Sequence, residues 1–261
     1  MRLPSFSAIL SKVLCACLSL LAQQASPPRD PLALAAVQRA VAVTGGTGPI
    51  SQIHDCVAEG TLEPSPGSWL SSGTFVWKNS GSEFRYENPG VSGRSAYVSG
   101  RGRPAVVKPD GTTRLHAHVS EANFPPHLFS LVLLRMLADA RYKLVFVGEQ
   151  IIGDRPVLRV RSSLAVDEIT AVTTVQDWFF DAGSGLPVRV EYRLPANSNA
   201  LEYLSAAVEL ADFRSVSGLA VPFQITIYQD GQKGGIAKLS SVVFNTGIST
   251  TDFDAPNGGG Q

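Results

Sequence analysis

What most constrains this chain is a hydrophobic period of two, repeated in short runs from about residue 50 to residue 244 and stopped each time by a turn signal. Residues 53–62 make the first run and 73–78 the second, and Asn79-Ser80-Gly81-Ser82 turns the chain into 83–87. Phe75 and Trp77 share one face of their run, as Phe84 and Tyr86 share one face of the next. Runs at 96–99 and 105–108 follow, and Asp110-Gly111 is a hairpin turn into 113–119. Further on, 143–150 turns at Gly153-Asp154-Arg155-Pro156 into 157–161, and 171–180 turns at Asp181-Ala182-Gly183-Ser184-Gly185 into 186–194. The run 201–216 meets 221–228 across Ser217-Gly218, and Asp230-Gly231 leads into 236–244. Ten or eleven strands in one continuous meander are expected. The 24 glycines and 17 prolines, about 16 % of the chain against an average near 12 %, supply the turns.

Two segments carry the period of a helix instead. Asp30 is an N-cap with Pro31 at the first helical position, and Leu32, Leu34, Ala35, Val37, Ala40 and Val41 then repeat until Gly45-Gly46 stops the helix. In mid-chain, Pro125-Pro126 precede a run from His127 to Asp139. There Leu128, Phe129, Leu131, Val132, Leu133, Leu134, Met136 and Leu137 cover nearly every side of a helix. Such a helix has to be surrounded by protein or by something apolar, and it is too short to cross a membrane. The pattern therefore describes a large, strongly curved antiparallel sheet whose concave side holds helices. No linker divides it, so residues 26–261 are expected to form a single domain with a loose tail from about residue 257.

The first 25 residues read as an export signal. They carry Arg2 and Lys12 and no acid, then an apolar core from Val13 to Ala22 that suits cleavage after Ala22 or Ala25. Leu14-Cys15-Ala16-Cys17 is also close to a lipobox, which would place a lipid on Cys17. Cys15 and Cys17 leave with a cleaved signal, and Cys56 remains alone, unable to form an internal disulfide. The whole chain has 22 basic and 22 acidic residues, which gives no general reason to bind nucleic acid or an anionic membrane.

The candidate chemistry is sparse. His116-Ala117-His118 with Glu121 begins a metal site but lacks further ligands, since His54 and His127 are the only other histidines. No nucleophile elbow or phosphate-binding glycine loop is present, and Cys56 sits in a strand pattern that suits a buried structural thiol. Asp167-Glu168 lies in a polar connection. Arg101, Arg103, Arg114, Arg159 and Arg161 fall at alternating strand positions, either as a solvated face or as a rim for phosphate or carboxylate head groups. No catalytic residues, cofactor or resident metal are expected.

This order of elements resembles the LolA-like superfamily of periplasmic lipoprotein carriers, related lipid-binding lipoproteins and RseB-type stress regulators. The resemblance runs from about Asp30 to Pro256. It rests on Gly73-Thr74-Phe75-Val76-Trp77-Lys78 leading to Phe84-Arg85-Tyr86-Glu87, on Trp178-Phe179-Phe180-Asp181 with Gly185-Leu186-Pro187-Val188-Arg189-Val190, and on the closing Asp252-Phe253-Asp254-Ala255-Pro256. It implies a mostly β, α+β fold: an incomplete antiparallel barrel of about 10–11 strands whose apolar concave face, lidded by helices, holds acyl chains. The carriers have an Arg-Pro pair before the aromatic that opens the third strand, and that arginine supports their switch between open and closed states. Here Asn79-Ser80-Gly81-Ser82-Glu83 precedes Phe84, which puts dedicated shuttling between two membranes in doubt.

A curved sheet that does not close leaves inner-face residues to be covered. Phe75, Trp77, Phe84, Tyr86, Val188, Val190, Phe223, Ile225 and Ile227 hold consistent positions for such a face, with Leu131 and Leu134 from the mid-chain helix. The expected function is non-catalytic binding or carriage of a lipid or acylated protein in the bacterial envelope, by an exported periplasmic monomer. The alternatives are an envelope sensor that binds a membrane-protein partner and a metal-dependent enzyme built on His116 and His118.

Overall fold

The computed structural model describes residues 28–81, 83–100, 103–111, 113–115, 126–195 and 203–255. The expected signal segment with Cys15 and Cys17, the pair His116 and His118 with Glu121, Arg101, and the tail from residue 257 lie outside them. Among the described residues, no helix is long and apolar enough to cross a membrane.

The first helix, α1 (Pro31–Val43), begins as its sequence dictates. The Asp30 carboxylate accepts a hydrogen bond from the Leu32 N–H at 2.8 Å, and Pro31 occupies the first turn, where its missing N–H costs nothing. Ala33, Ala36, Val37, Ala40 and Val41 form its buried stripe. Thr44 closes the helix by donating its hydroxyl to the Ala40 carbonyl at 2.8 Å. At Gly45, φ is +133°, a conformation that L side chains rarely adopt, which favours glycine there. A short helix, α2 (Thr47–Ser51), follows.

Six strands come next: β1 (Asp55–Pro64), β2 (Gly73–Ser80), β3 (Glu83–Gly90), β4 (Gly93–Gly100), β5 (Arg103–Val107) and β6 (Thr113–Leu115). A 3₁₀ turn (Pro126–Leu128) enters helix α3 (Phe129–Ala138). The chain then forms β7 (Tyr142–Ile152), β8 (Arg155–Leu164), helix α4 (Glu168–Thr173), β9 (Gln176–Asp181), β10 (Pro187–Pro195), β11 (Tyr203–Val216), β12 (Leu219–Gln229) and β13 (Gln232–Phe244). A last 3₁₀ turn spans Thr250–Phe253.

The thirteen strands among the described residues belong to one antiparallel sheet in the order β6-β5-β4-β3-β2-β1-β13-β12-β11-β10-β9-β8-β7. The sheet is not closed, because β6 and β7 end it as edges. The strand count exceeds the expected ten or eleven, and the meander is not continuous. It is two meanders, β1–β6 and β7–β13, joined where β1 pairs with β13 from Cys56 opposite Phe244 to Pro64 opposite Gly235. The segment holding α3 therefore connects the two outer edges of the sheet. That long-range pairing leaves no local mark on the sequence.

Two further expectations are corrected. The run 171–180 is not strand throughout. Asp167 accepts hydrogen bonds from the Thr170 N–H at 2.7 Å and the Thr170 hydroxyl at 2.8 Å, so residues up to Thr173 fold as α4 and the strand begins at Gln176. Asp167 is thus a cap rather than part of a featureless connection. Helix α3 is not enclosed on every side either. Phe129, Ser130, Leu133 and Met136 are buried, while Leu131, Val132, Leu134 and Leu137 are only partly buried.

The main core lies between the helices and one face of the sheet. Ala33, Val37, Ala40 and Val41 of α1 and Leu133 and Met136 of α3 share a cluster with Ala58, Phe75, Trp77, Val160, Trp178, Val190, Ile225 and Leu239 from the strands. The other face is covered locally by the C-terminal segment. Phe253 is fully buried, Lys78 Nζ donates to Asp252 at 2.8 Å, and Ala255 packs on Ala96, Val98, Ala105 and Val107.

Candidate functional site

The cross-strand register decides which side chains share the helix-covered, concave face. Phe75 lies opposite Gly60, Trp77 opposite Ala58 and Tyr86, and Phe84 opposite Asn79. Across the β1–β13 seam the same face continues through Leu239 and Ala237 to Ile225, and then through Leu210, Val208, Val190, Trp178 and Val160. Directly opposed residues in antiparallel strands point to one side, so these form one apolar surface from β3 to β8.

Nine of the eleven expected ligand-face residues meet in the main cluster. Phe75, Trp77, Val190, Phe223 and Ile225 are buried members, and Tyr86, Leu131, Leu134 and Ile227 pack against them while partly exposed. Phe84 is buried outside that cluster and joins it through Tyr86, with ring centroids 4.7 Å apart and planes nearly parallel at 17°. Val188 stands apart. The register slips between Pro187 and Arg189, so Val188 is the extra residue of a bulge, half-buried and opposite no β9 residue.

The densest part of the face is an aromatic group on β2 and β3. Phe75 and Trp77 stack at 4.1 Å, Tyr86 packs edge-on against Trp77 at 6.0 Å, and His127 lies on the indole at 5.3 Å and 28°. The Trp77 Nε1–H donates to Asn88 at 2.9 Å, which satisfies the one polar atom of the indole. Gly60 makes the stack possible, because a Cβ there would stand 2.6 Å from the Phe75 ring and 2.2 Å from the Lys238 carbonyl oxygen.

Sequence reasoning passed over three residues of this site. Asn79 opens a turn signal in the sequence, yet β2 runs to Ser80, and one more step of the Phe75, Trp77 alternation puts it on the inner face. Its Nδ2 donates to the Tyr86 hydroxyl at 2.7 Å. His127 was one histidine among four; its place at the head of an apolar helix was the available signal. Arg29 gave none, since its partners are backbone carbonyls on α3.

Titratable groups on this face are held uncharged. Burial pushes the His127 pKa down to about 3, and it pushes the Tyr192 hydroxyl and the Cys56 thiol up to about 12 each. Burial also raises Tyr86. The largest cause is the same in all four, the cost of charge in a medium of low polarity.

The opposite face is polar and paired. Asp177 accepts from Arg159 Nη2 at 2.7 Å and from Arg161 Nε and Nη2 at 2.9 and 2.8 Å, and Arg189 donates to Glu191 and Glu209. Arg159 and Arg161 are thus tied to a carboxylate away from the concave face, which removes them from any rim around it. Among the described residues, no group of three or more His, Cys, Asp or Glu side chains is placed to hold a metal ion.

No family model and no curated protein matches the chain. Solved structures do. A LolA superfamily protein from Nitrosomonas europaea aligns with a TM-score of 0.50 at 12 % identity, over 85 % of this chain and 97 % of that one. A DUF1329 family protein from Desulfovibrio piger aligns over 85 % and 97 % at 13 % identity, with a TM-score of 0.48. The fold is LolA-like, an incomplete antiparallel barrel with helices on its concave side.

Proposed function

We propose that this chain is a non-catalytic binder or carrier of a lipid or a lipoprotein acyl chain in the bacterial cell envelope. It is exported through residues 1–25 and acts in the periplasm as residues 26–261. The observation that carries this reading is the concave face itself. It is apolar from β3 to β8, it is roofed by α1 and α3, and Leu131, Leu134, Tyr86 and Ile227 are only partly buried along it. An acyl chain laid there gains about 0.8 kcal/mol for each methylene it buries, with no need for a charged contact. The LolA-like fold supports the same reading.

The test is titration with the uncharged apolar dye N-phenyl-1-naphthylamine, read by its fluorescence. The wild-type chain binds it saturably. Leu131→Glu and Leu134→Glu, both at partly buried positions on α3, each weaken binding about tenfold, because each replaces apolar contact area with a carboxylate. Absence of saturable binding by the wild type contradicts the proposal.

A further inference from the structure

Among the described residues, three polar side chains are buried in the concave face with hydrogen-bonding capacity left over: Ser162 on β8, and His127 and Asn79 at the aromatic group. His127 is 1 % exposed, and neither Nδ1 nor Nε2 has a partner among the described residues. Asn79 is 6 % exposed; its Nδ2 is used by Tyr86, but its Oδ1 has no partner. Both belong to the aromatic group, His127 through Trp77 and Asn79 through Tyr86. His127 stacks on Trp77, Tyr86 packs against the Trp77 edge, and Asn79 follows Trp77 by two residues on the same face of β2.

Buried polar atoms are normally paired, because each unpaired one retains the full cost of leaving water. A phenylalanine at position 127 would fill the same stack without that cost. Burial pushes the imidazole pKa down to about 3, which leaves the ring neutral at pH 8. A neutral ring offers one N–H donor and one acceptor nitrogen, and Asn79 Oδ1 adds a second acceptor. That set matches a hydroxyl, an ester carbonyl or an amide. It does not match an ionised carboxylate or phosphate, which would have to leave water for an apolar site.

We propose that His127 and Asn79 form a polar subsite that takes one uncharged hydrogen-bonding group of an otherwise apolar ligand, a hydroxyl, ester or amide next to an acyl chain. The proposal rests on the lipid-binding reading and deepens it by selecting neutral acyl compounds over anionic ones. The stacked ring places the subsite beside the Phe75, Trp77 and Tyr86 wall, so the acyl chain runs along the apolar face and its polar end meets the imidazole.

The experiment is competition against N-phenyl-1-naphthylamine at pH 8 with two probes, 1-monooleoylglycerol and sodium oleate. The wild-type chain binds the acylglycerol about tenfold more tightly than the oleate anion. His127→Phe keeps the aromatic stack and loses both nitrogens, so it weakens acylglycerol binding about tenfold more than it changes dye binding. His127→Gln restores a donor and an acceptor and recovers most of the loss. Asn79→Leu weakens acylglycerol binding in the same selective way. If His127→Phe does not fold, His127→Gln and Asn79→Leu decide. Equal affinity of wild type and His127→Phe for the acylglycerol overturns the proposal, as does oleate binding as tightly as the acylglycerol. Dye binding without acylglycerol binding overturns the subsite alone. Binding of neither probe nor dye overturns the lipid reading with it.

Discussion

Arg29 donates from its guanidinium to the Leu137 carbonyl oxygen at 3.3 Å and to that of Met136, two of the carbonyls that the C-terminus of α3 leaves without an intrahelical partner. The backbone beside Arg29 meanwhile pairs with the sheet edge, the Asp30 N–H donating to the Leu144 carbonyl at 2.9 Å and the Leu144 N–H to Pro28 at 3.3 Å. One residue thus ties the roof helix to strand β7. Arg29→Ala is expected to cost about 1–3 kcal/mol and to speed amide hydrogen exchange in α3 more than in the central strands. Arg29→Lys recovers only part of this, because an ammonium does not have the planar fork that spans two acceptors. Unchanged exchange in α3 would show that the helix is held without Arg29.

Gly60 is fixed by contact rather than by conformation. An added Cβ meets the Lys238 carbonyl oxygen at 2.2 Å, and that neighbour is backbone of the β1–β13 seam. Gly60→Ala should destabilise the fold by about 1–3 kcal/mol through overpacking. The effect is read in the denaturant midpoint, with the slope unchanged. A midpoint equal to wild type would mean that the seam moves apart freely.

The polar face sets an acid limit. Burial alone would raise the Asp177 pKa, but hydrogen bonds from Arg161 and Arg159 and their charges outweigh it, and the net direction is downward. A carboxylate whose folded pKa lies below its unfolded value contributes stability that is present above the unfolded pKa and lost as pH falls through the folded one. At neutral pH, Asp177→Asn is therefore expected to be less stable than wild type by about 1–3 kcal/mol. The gap should narrow on acidification below about pH 4. A gap independent of pH between 3 and 7 would contradict this assignment.

Cys56 is buried, and its thiol is pushed up to about 12, first by burial and then by the neighbouring Asp55 carboxylate. At pH 8 the native protein should leave Cys56 unmodified by a thiol reagent, with rapid modification only in denaturant; peptide mass spectrometry locates the label. Rapid native labelling at Cys56 would place the thiol on an accessible surface.

Local chemistry was legible in the sequence and long-range pairing was not. The Asp30-Pro31 start of α1, the hairpin turns at Asp230-Gly231 and Ser217-Gly218, and the shared face of Phe75 and Trp77 follow from spacing and turn residues alone. Helix α4 was missed because its β-branched residues resemble a strand until Asp167 is seen to cap it. Val188 was placed by simple alternation, which a bulge interrupts. The split into two meanders depends on β1 finding β13, some 180 residues away in sequence, and on nothing local. His127 and Asn79 became site residues only when β2 and the head of α3 were brought together.

The most direct test of the central claim is mass spectrometry of an organic extract from the protein, purified from its native source without detergent. The account predicts an acyl compound in near-stoichiometric amount, with an uncharged hydroxyl, ester or amide beside its chain. An extract with no acyl compound, from protein that also binds no added 1-monooleoylglycerol, would contradict it and leave the concave face as core packed for its own sake.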